Sequence, residues 1–182
     1  KLNSDRYQFI LPYYNFSKNF FDNNNFGSFD FVSLGDNILK DTNSLRSRMI
    51  NNLNIQSFNF ISDKGFKNNF NYYLKNTITA GKDNLEYDPS PEVKFSNIIE
   101  MQSSFPLVKV DENYLSYIDP KLSLRINPSS MKFYGDAKRK ISSDNIFNIN
   151  RLGLIDTLET GQNITLGINY KKEKLDNINK FF

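Results

Sequence analysis

The sequence predicts an all-β protein, built as an antiparallel meander of about seven or more long strands. Apolar residues recur at every second position along most of the chain, which is the period of a β-strand, and the helical period is nearly absent. Clusters of Asn, Asp, Gly and Pro separate these stretches and mark turns. From residue 61 onward the connections alternate between short and long, as they do in the wall of an outer-membrane barrel.

Seven strands account for the alternating stretches. In the first, Pro12 predicts a bulge or a break, because proline cannot donate a hydrogen bond to the ladder. The second is expected to end at the turn residues 35–37. The third shifts its apolar face near Gln56, which predicts a β-bulge. The predicted strands cover residues 6–16, 26–34, 45–61, 66–80, 92–105, 114–126 and 162–170.

The connections divide into two classes. Those over residues 62–65 and 106–113 are short, and those over 81–91 and 127–161 are long. Bacterial outer-membrane barrels have short periplasmic turns and long extracellular loops, so this rhythm favours a barrel wall over a soluble β-sandwich. The cluster Lys171–Lys174 is expected to be a solvated turn.

The polar faces of the strands carry full charges near mid-strand. A water-filled lumen tolerates such residues, whereas a soluble sandwich would place them on its outer surface, so they leave both architectures open. The candidate lumen-facing residues are Lys67, Lys75, Glu100, Asp119, Lys121 and Arg125.

The composition excludes several kinds of chemistry. The chain contains neither Cys nor His, which removes thiol nucleophiles, imidazole general bases and the usual zinc ligands. A formal net charge of +3, with Lys and Arg scattered among Asp and Glu, gives no basis for nucleic-acid binding. No run approaches the roughly 18 apolar residues of a membrane-spanning helix, which leaves soluble β proteins and transmembrane β-barrels. We therefore expect no cofactor, no metal site and no enzymatic activity.

The most distinctive stretch covers residues 144–161 and leads directly into the last strand. Its arginine and the two carboxylates that follow could form a catalytic constellation, but without histidine they favour a loop held in shape by charge-assisted hydrogen bonds. Its last glycine and the one in the next strand are expected to serve turn and close-packing roles, since no helix that could bind phosphate follows them. The residues assigned to this structural role are Asp144, Asn145, Phe147, Asn150, Arg151, Asp156, Glu159, Gly161 and Gly167.

Two parts of the C-terminal half carry a resemblance to a known family. The first is Phe105-Pro106-Leu107 with the run over residues 118–124. The second consists of Asp144-Asn145-Ile146-Phe147, Asn150-Arg151-Leu152, Asp156, Glu159, Gly161 and Thr165-Leu166-Gly167-Ile168. Together they resemble the strands and the signature of the LptD family of lipopolysaccharide-assembly proteins, also called organic solvent tolerance proteins. The family has an arginine where this chain has Thr157.

The resemblance implies a large outer-membrane barrel that inserts lipopolysaccharide into the outer leaflet. Residues 1–182 would be a single partial domain, a middle segment of the barrel that forms an open curved sheet, without the periplasmic jellyroll domain or a signal peptide. The stretch over residues 144–161 would then lie in a long extracellular loop. The implied partners are an LptE-like plug lipoprotein, a periplasmic LptA-type bridge that acts through the jellyroll domain, lipopolysaccharide and membrane lipids. Two other functions stay open: a soluble β-sandwich that serves as a binding or adhesin module, and a different, porin-like outer-membrane channel.

Overall fold

All regular structure in the described part of the chain is β-strand, and its strands form one antiparallel sheet. The computed structural model describes residues 8–23, 27–129 and 139–174. Within these ranges there is no helix of the length and hydrophobicity needed to cross a membrane. The strands are β1 (Gln8–Asn23), β2 (Gly27–Lys40), β3 (Leu45–Gln56), β4 (Phe60–Ile61), β5 (Lys67–Lys82), β6 (Glu92–Ser104), β7 (Leu107–Val110), β8 (Tyr114–Asn127) and β9 (Gly161–Lys174).

The sheet is a meander in which two of the long strands are each interrupted and divided into two shorter strands. β3 and β4 lie on the same side of β5, separated by residues 57–59, which is where the sequence predicts a bulge after Gln56. β6 and β7 lie on the same side of β8, separated by Phe105 and Pro106. Proline cannot donate to the ladder, which explains the second interruption. If each interrupted pair is counted as one long strand, every strand therefore pairs with the next one along the chain.

The predicted fold class is confirmed, because the described residues form an all-β antiparallel meander in an open sheet. In the described ranges β1 pairs with β2 alone and β9 with β8 alone, so the sheet does not close on itself. A register shift between Ile10 and Tyr13 lies where Pro12 predicts a bulge.

Several strand boundaries differ from the prediction, and the end of β1 is one of them, since it lies at Asn23 instead of residue 16. β2 passes through the predicted turn at residues 35–37, the connection over residues 106–113 contains β7, and Lys171–Lys174 belongs to β9 instead of a turn. Turn preference is a local property of the residues. At these places pairing with the neighbouring strand outweighs that preference, because each paired residue gains ladder hydrogen bonds and cross-strand contacts.

Contacts between strands explain why β2 continues. Gly35 lies against the ring of Tyr14 on β1, and a Cβ at this position would come within 2.2 Å of the ring. Glycine therefore allows the approach of the two strands. The carboxylate of Asp36 accepts hydrogen bonds from Arg46 and Arg48 of β3, at 3.1 and 2.7 Å. These contacts hold residues that favour turns within an extended strand.

The two faces of the sheet differ in polarity and in coverage. The face that carries the charged side chains is covered, and the face that carries the apolar side chains is exposed. On β9 the side chain of Leu166 is 76 % exposed, whereas on β6 that of Glu100 is 1 % exposed. We call the two faces the polar face and the apolar face. The buried side chains of the polar face include Asn71, Lys75, Thr77, Thr79, Ser96, Glu100, Ser123, Arg125, Asn127 and Thr165. The exposed side chains of the apolar face include Val93, Phe95, Ile99, Leu124, Ile126, Ile164, Leu166, Ile168 and Tyr170.

Phenylalanine rings cluster at one end of the strands, where residues 57–66 and 105–106 connect them. We call these rings the aromatic belt. Rings from neighbouring strands and turns pair with one another, which is a geometry that aromatic side chains prefer. Three of these pairs and their centroid distances are Phe20–Phe29 at 4.9 Å, Phe66–Phe105 at 4.8 Å and Phe60–Phe70 at 5.8 Å.

Candidate functional site on the polar face

The candidate site is the polar face of β5, β6, β8 and β9, together with the segment that covers it. The register places Glu100 opposite Arg125, and it brings Lys67 and Lys121 to either side of Ser104. Side chains directly opposite each other in an antiparallel ladder share a face, and the other two predicted lumen-facing residues share it through the two-residue period. All six therefore lie on one face; their position in a lumen stays a prediction.

Residues 139–160 fold back over this face, and we call them the covering segment. Two side chains of β8 hold its main chain. Arg125 donates to the carbonyl of Asn148 at 2.8 Å, and Asn127 donates to the carbonyl of Glu159 at 2.9 Å. These contacts place the segment against the polar face of the sheet, and its position in a long extracellular loop stays a prediction.

Two further side chains, on β5, hold the middle of the covering segment. Lys75 donates to the carbonyl of Ile155 at 2.7 Å, and Thr77 donates to the carbonyl of Asp156 at 2.8 Å. An irregular segment has carbonyl groups that no ladder satisfies, and buried carbonyls need partners. The polar face supplies these partners.

Four charged side chains form a buried cluster beneath the covering segment. Glu100 Oε1 and Arg125 Nη2 are 3.1 Å apart, and Arg151 makes a two-point contact with Glu159 at 2.6 and 2.8 Å. Arg125 Nη1 also lies 3.9 Å from Glu159 Oε2, which joins the two pairs. Two positive and two negative charges balance, and such a balance is what makes the burial of charge tolerable.

Hydrogen bonding within this cluster is unequal. Glu100 accepts hydrogen bonds from Ser123 at 2.9 Å and from Asn71 at 3.2 Å, in addition to its contact with Arg125. The Nε and Nη1 atoms of Arg125 have no hydrogen-bond partner among the described residues. The charge of Arg125 therefore depends on the nearby carboxylates for its compensation.

Asp156 makes a separate set of contacts. Tyr87, in the connection over residues 83–91, donates to Asp156 Oδ2. Arg48 Nη1 lies 3.6 Å from Asp156 Oδ1, although Arg48 contacts Asp36 more closely, at 2.7 Å. Burial, followed by the hydrogen bond to Asp156, raises the pKa of the Tyr87 hydroxyl, so this group remains a protonated donor well above neutral pH.

Two asparagines shape the covering segment from within. Asn145 accepts from the amide of Ser142 at 3.0 Å and donates to the carbonyl of Lys140 at 2.9 Å. Asn150 bonds to both the amide and the carbonyl of Leu154, at 2.8 and 2.6 Å. Asparagine side chains stabilise turns in this way, by replacing main-chain partners.

The charged residues of the stretch over residues 144–161 do not come together in one cluster. Arg151 pairs with Glu159, Asp156 bonds to Tyr87, and Asp144 is exposed. No group of three or more His, Cys, Asp and Glu that could hold a metal ion occurs in the described ranges. The contact between Arg151 and Glu159 compensates two of these charges, and the assignment of the stretch to a loop held in shape by charge-assisted hydrogen bonds stays a prediction.

Comparison with family models, curated proteins and solved structures found no match to this chain. The functional interpretation therefore rests on the chain's own geometry and on the resemblance carried by its own sequence.

Several residues of the site were not predicted from the sequence. Asn71 and Thr77 lie on β5 at even spacing from the predicted Lys75, so the strand period contains the signal for them. No spacing along the sequence identifies Arg48 and Tyr87 as residues of the site. Their partner Asp156 lies 108 and 69 positions away along the chain, and only the folding back of the covering segment brings them together.

The polar face also forms a cavity of about 190 Å³ at the edge of the covering segment. The ring of Phe147 borders it and rests on Gly167, where a Cβ would come within 2.8 Å of the ring. The other side chains around the cavity are polar or charged, with one exception. They are Asn59, Lys67, Asn69, Gln102, Ser103, Ser104, Asp119, Lys121 and Leu122.

Proposed function

We propose that the sheet is part of the wall of a transmembrane β-barrel in a bacterial outer membrane, with the polar face towards the lumen and the apolar face towards lipid. The observation that carries the proposal is the inverted distribution of side chains. Charged groups such as Glu100 are buried, while large apolar groups such as Leu166 are exposed. Apolar surface in water costs about 25 cal/mol per Å², and contact with lipid removes this cost.

The dimensions of the apolar face fit a bilayer. On β5 its apolar residues extend from Phe70 to Ala80, interrupted by Asn76, with Asn68 and Lys82 beyond the two ends. This interval is about 33 Å long at about 3.3 Å per residue, and about 25 Å high for a strand tilted by about 40°. The apolar band of outer-membrane barrels has about this height.

The aromatic belt supports the same orientation. Aromatic girdles flank the apolar band of outer-membrane barrels, where the rings lie between the hydrocarbon and the headgroups. From β4 onward the belt lies at the ends of the strands that the shorter connections join, and short connections are periplasmic in such barrels. The opposite ends of the strands, with the connection over residues 83–91 and the covering segment, would then face the outside.

The soluble β-sandwich is the weaker alternative. A sandwich buries the apolar faces of two sheets against each other. The described residues form one sheet, and the face that is covered is the polar one. A porin-like channel shares the architecture of the proposal and remains its closest competitor.

We further propose that this barrel wall takes part in lipopolysaccharide transport and its insertion into the outer leaflet, without enzymatic activity. The signature around residues 144–161 supports this. A polar lumenal face suits the sugar part of lipopolysaccharide, and the apolar face borders the lipid that receives its acyl chains. The proposed partners are an LptE-like plug lipoprotein and a periplasmic LptA-type bridge. Chemical cross-linking of the full-length protein to an LptE-like lipoprotein is expected for this function and not for a porin-like channel.

Cysteine labelling in intact cells tests the position of the wall in the membrane. Ile99→Cys is expected to resist a membrane-impermeant maleimide, because lipid would cover a side chain that is 54 % exposed in the sheet. Leu85→Cys, in the connection over residues 83–91, is the matched control and is expected to react from outside the cell. Rapid reaction at both positions would show that water covers the apolar face, and the barrel would be excluded.

A further inference from the structure

Four hydrogen-bond donors of the polar face and its rim converge on two adjacent residues of the covering segment. Lys75 Nζ and Thr77 Oγ1 contact the carbonyls of Ile155 and Asp156, while the Tyr87 hydroxyl and Arg48 approach the Asp156 carboxylate. The donors come from β3, β5 and the following connection. Three of them donate hydrogen bonds to residues 155–156, which we call the tip, and Arg48 Nη1 lies 3.6 Å from Asp156 Oδ1.

We propose that these donors form an anion-binding site on the polar face, which the tip occupies in the structure and from which a phosphate or a similar oxyanion displaces it. The four tip oxygens stand in for the oxygens of the anion. This inference goes beyond the proposed transport function. It requires the geometry of the polar face, and it does not require that lipopolysaccharide is the substrate.

The donors are built into the sheet. Lys75 and Thr77 lie on β5, and with the covering segment in place they are 9 % and 1 % exposed. Arg48 is held by Asp36 through Nε and Nη2, which leaves its Nη1 directed at the tip. A preorganised set of donors binds an anion without having to order flexible side chains.

The charge of the site favours an anion once the tip leaves. Lys75, Arg46 and Arg48 would then face Asp36 as the one buried carboxylate of the group, since Glu86 is largely exposed. A buried cluster with positive charge in excess is unfavourable without a counter-charge. In the structure Asp156 supplies part of this counter-charge.

The tip itself fits the site imperfectly. Asp156 Oδ1 accepts no hydrogen bond within the described part of the chain, and its distance of 3.6 Å to Arg48 is long for an ion pair. Asp156 is also about one-third exposed at its side chain, so water competes for its contacts. Arg48 Nη1 therefore makes no close contact with the tip, and in the proposed site an oxygen of the bound anion takes this position.

The segments on both sides of the tip have contacts of their own that do not involve the four donors. On one side Leu154 is bonded to Asn150 through both its amide and its carbonyl. On the other, the amide of Leu158 donates to Ser96 at 3.3 Å, and the neighbouring Glu159 belongs to the buried charge cluster. The tip can therefore leave the donors while the rest of the covering segment stays in place.

Calorimetric titration of the full-length protein with inorganic phosphate tests the site. Asp156→Ala removes the carboxylate of the tip, which is the part that contacts Tyr87 and Arg48, and is expected to bind phosphate about tenfold more tightly than the unmodified protein. Adding Lys75→Ala to Asp156→Ala is expected to abolish this gain, whereas adding Lys75→Arg should retain most of it. Glu86→Ala removes a carboxylate near Arg46 that does not contact the tip, and it is the matched charge control, expected to bind like the unmodified protein.

The outcomes separate the proposal from its competitors. Equal affinity of the unmodified protein, Asp156→Ala and the double variant with Lys75→Ala would overturn the site, and so would an equal gain in Glu86→Ala, which would show a general charge effect. Tyr87→Phe removes another of the four donors, so adding it to Asp156→Ala is expected to reduce the gain in affinity, and the test does not depend on one variant. Repeating the titration with dioctanoyl phosphatidic acid in place of inorganic phosphate shows whether the site prefers a lipid headgroup or a free anion. If phosphate binding fails these tests while Ile99→Cys stays protected from labelling, the anion site is excluded and the proposal of a barrel wall stands.

Discussion

Glu100→Gln is expected to lower the free energy of unfolding by about 3–5 kcal/mol, because it leaves the charge of Arg125 buried with less compensation. Glu100 is the closest carboxylate to Arg125, at 3.1 Å, and the next one, on Glu159, is 3.9 Å away and already bound by Arg151. Both members of the pair are almost completely buried, so water cannot replace the lost partner. Urea unfolding of the full-length protein in lipid vesicles measures the change.

The control for this prediction is Glu86→Gln. Glu86 forms an ion pair with Arg46 at 3.4 Å, but its side chain is 64 % exposed, and exposed pairs contribute about 1 kcal/mol or less. The double variant Glu100→Gln/Arg125→Gln is expected to recover part of the loss, because it removes the uncompensated charge. Similar losses for Glu100→Gln and Glu86→Gln would contradict the burial of the charge cluster.

Leu166→Lys is expected to lower the unfolding free energy by about 2–4 kcal/mol if the apolar face borders lipid, since this is the cost of a lysine near the middle of a bilayer. Leu166 lies at the centre of the apolar residues of β9, between Ile164 and Ile168. In water the same substitution at an exposed position would change the stability by about 0.5 kcal/mol or less. The expected results for a barrel wall and a soluble sheet therefore differ severalfold.

Gln162→Lys provides the matched control on the same strand and face. It lies at the end of the apolar stretch of β9, where a lysine costs about 0–1 kcal/mol near the interface. The amount of folded protein recovered in the outer membrane and unfolding in vesicles give two independent measurements. A neutral Leu166→Lys variant in both would exclude the barrel wall, whatever the result for Gln162→Lys.

Much of the fold is contained in the two-residue period. The alternation along β5, β6, β8 and β9 predicts the strands and assigns each side chain to one of two faces, because successive residues of a strand point in opposite directions. Positions such as Lys75, Glu100 and Arg125 could therefore be grouped from the sequence. The prediction was wrong where local turn preference and strand pairing disagree, as at Gly35, which pairs with Tyr14 against the preference of the neighbouring residues for a turn.

The sequence by itself determined the strands, their order in the meander and the grouping of the charged residues, since these depend on residues close together along the chain. Only the tertiary structure decided that the charged face is the covered one. That outcome depends on residues 139–160 folding back, and on contacts such as that of Lys75 with Ile155, which are 80 positions apart. An alternating pattern is symmetric with respect to its two faces. Which face is buried is decided by contacts between distant segments, and the spacing along a strand contains no record of them.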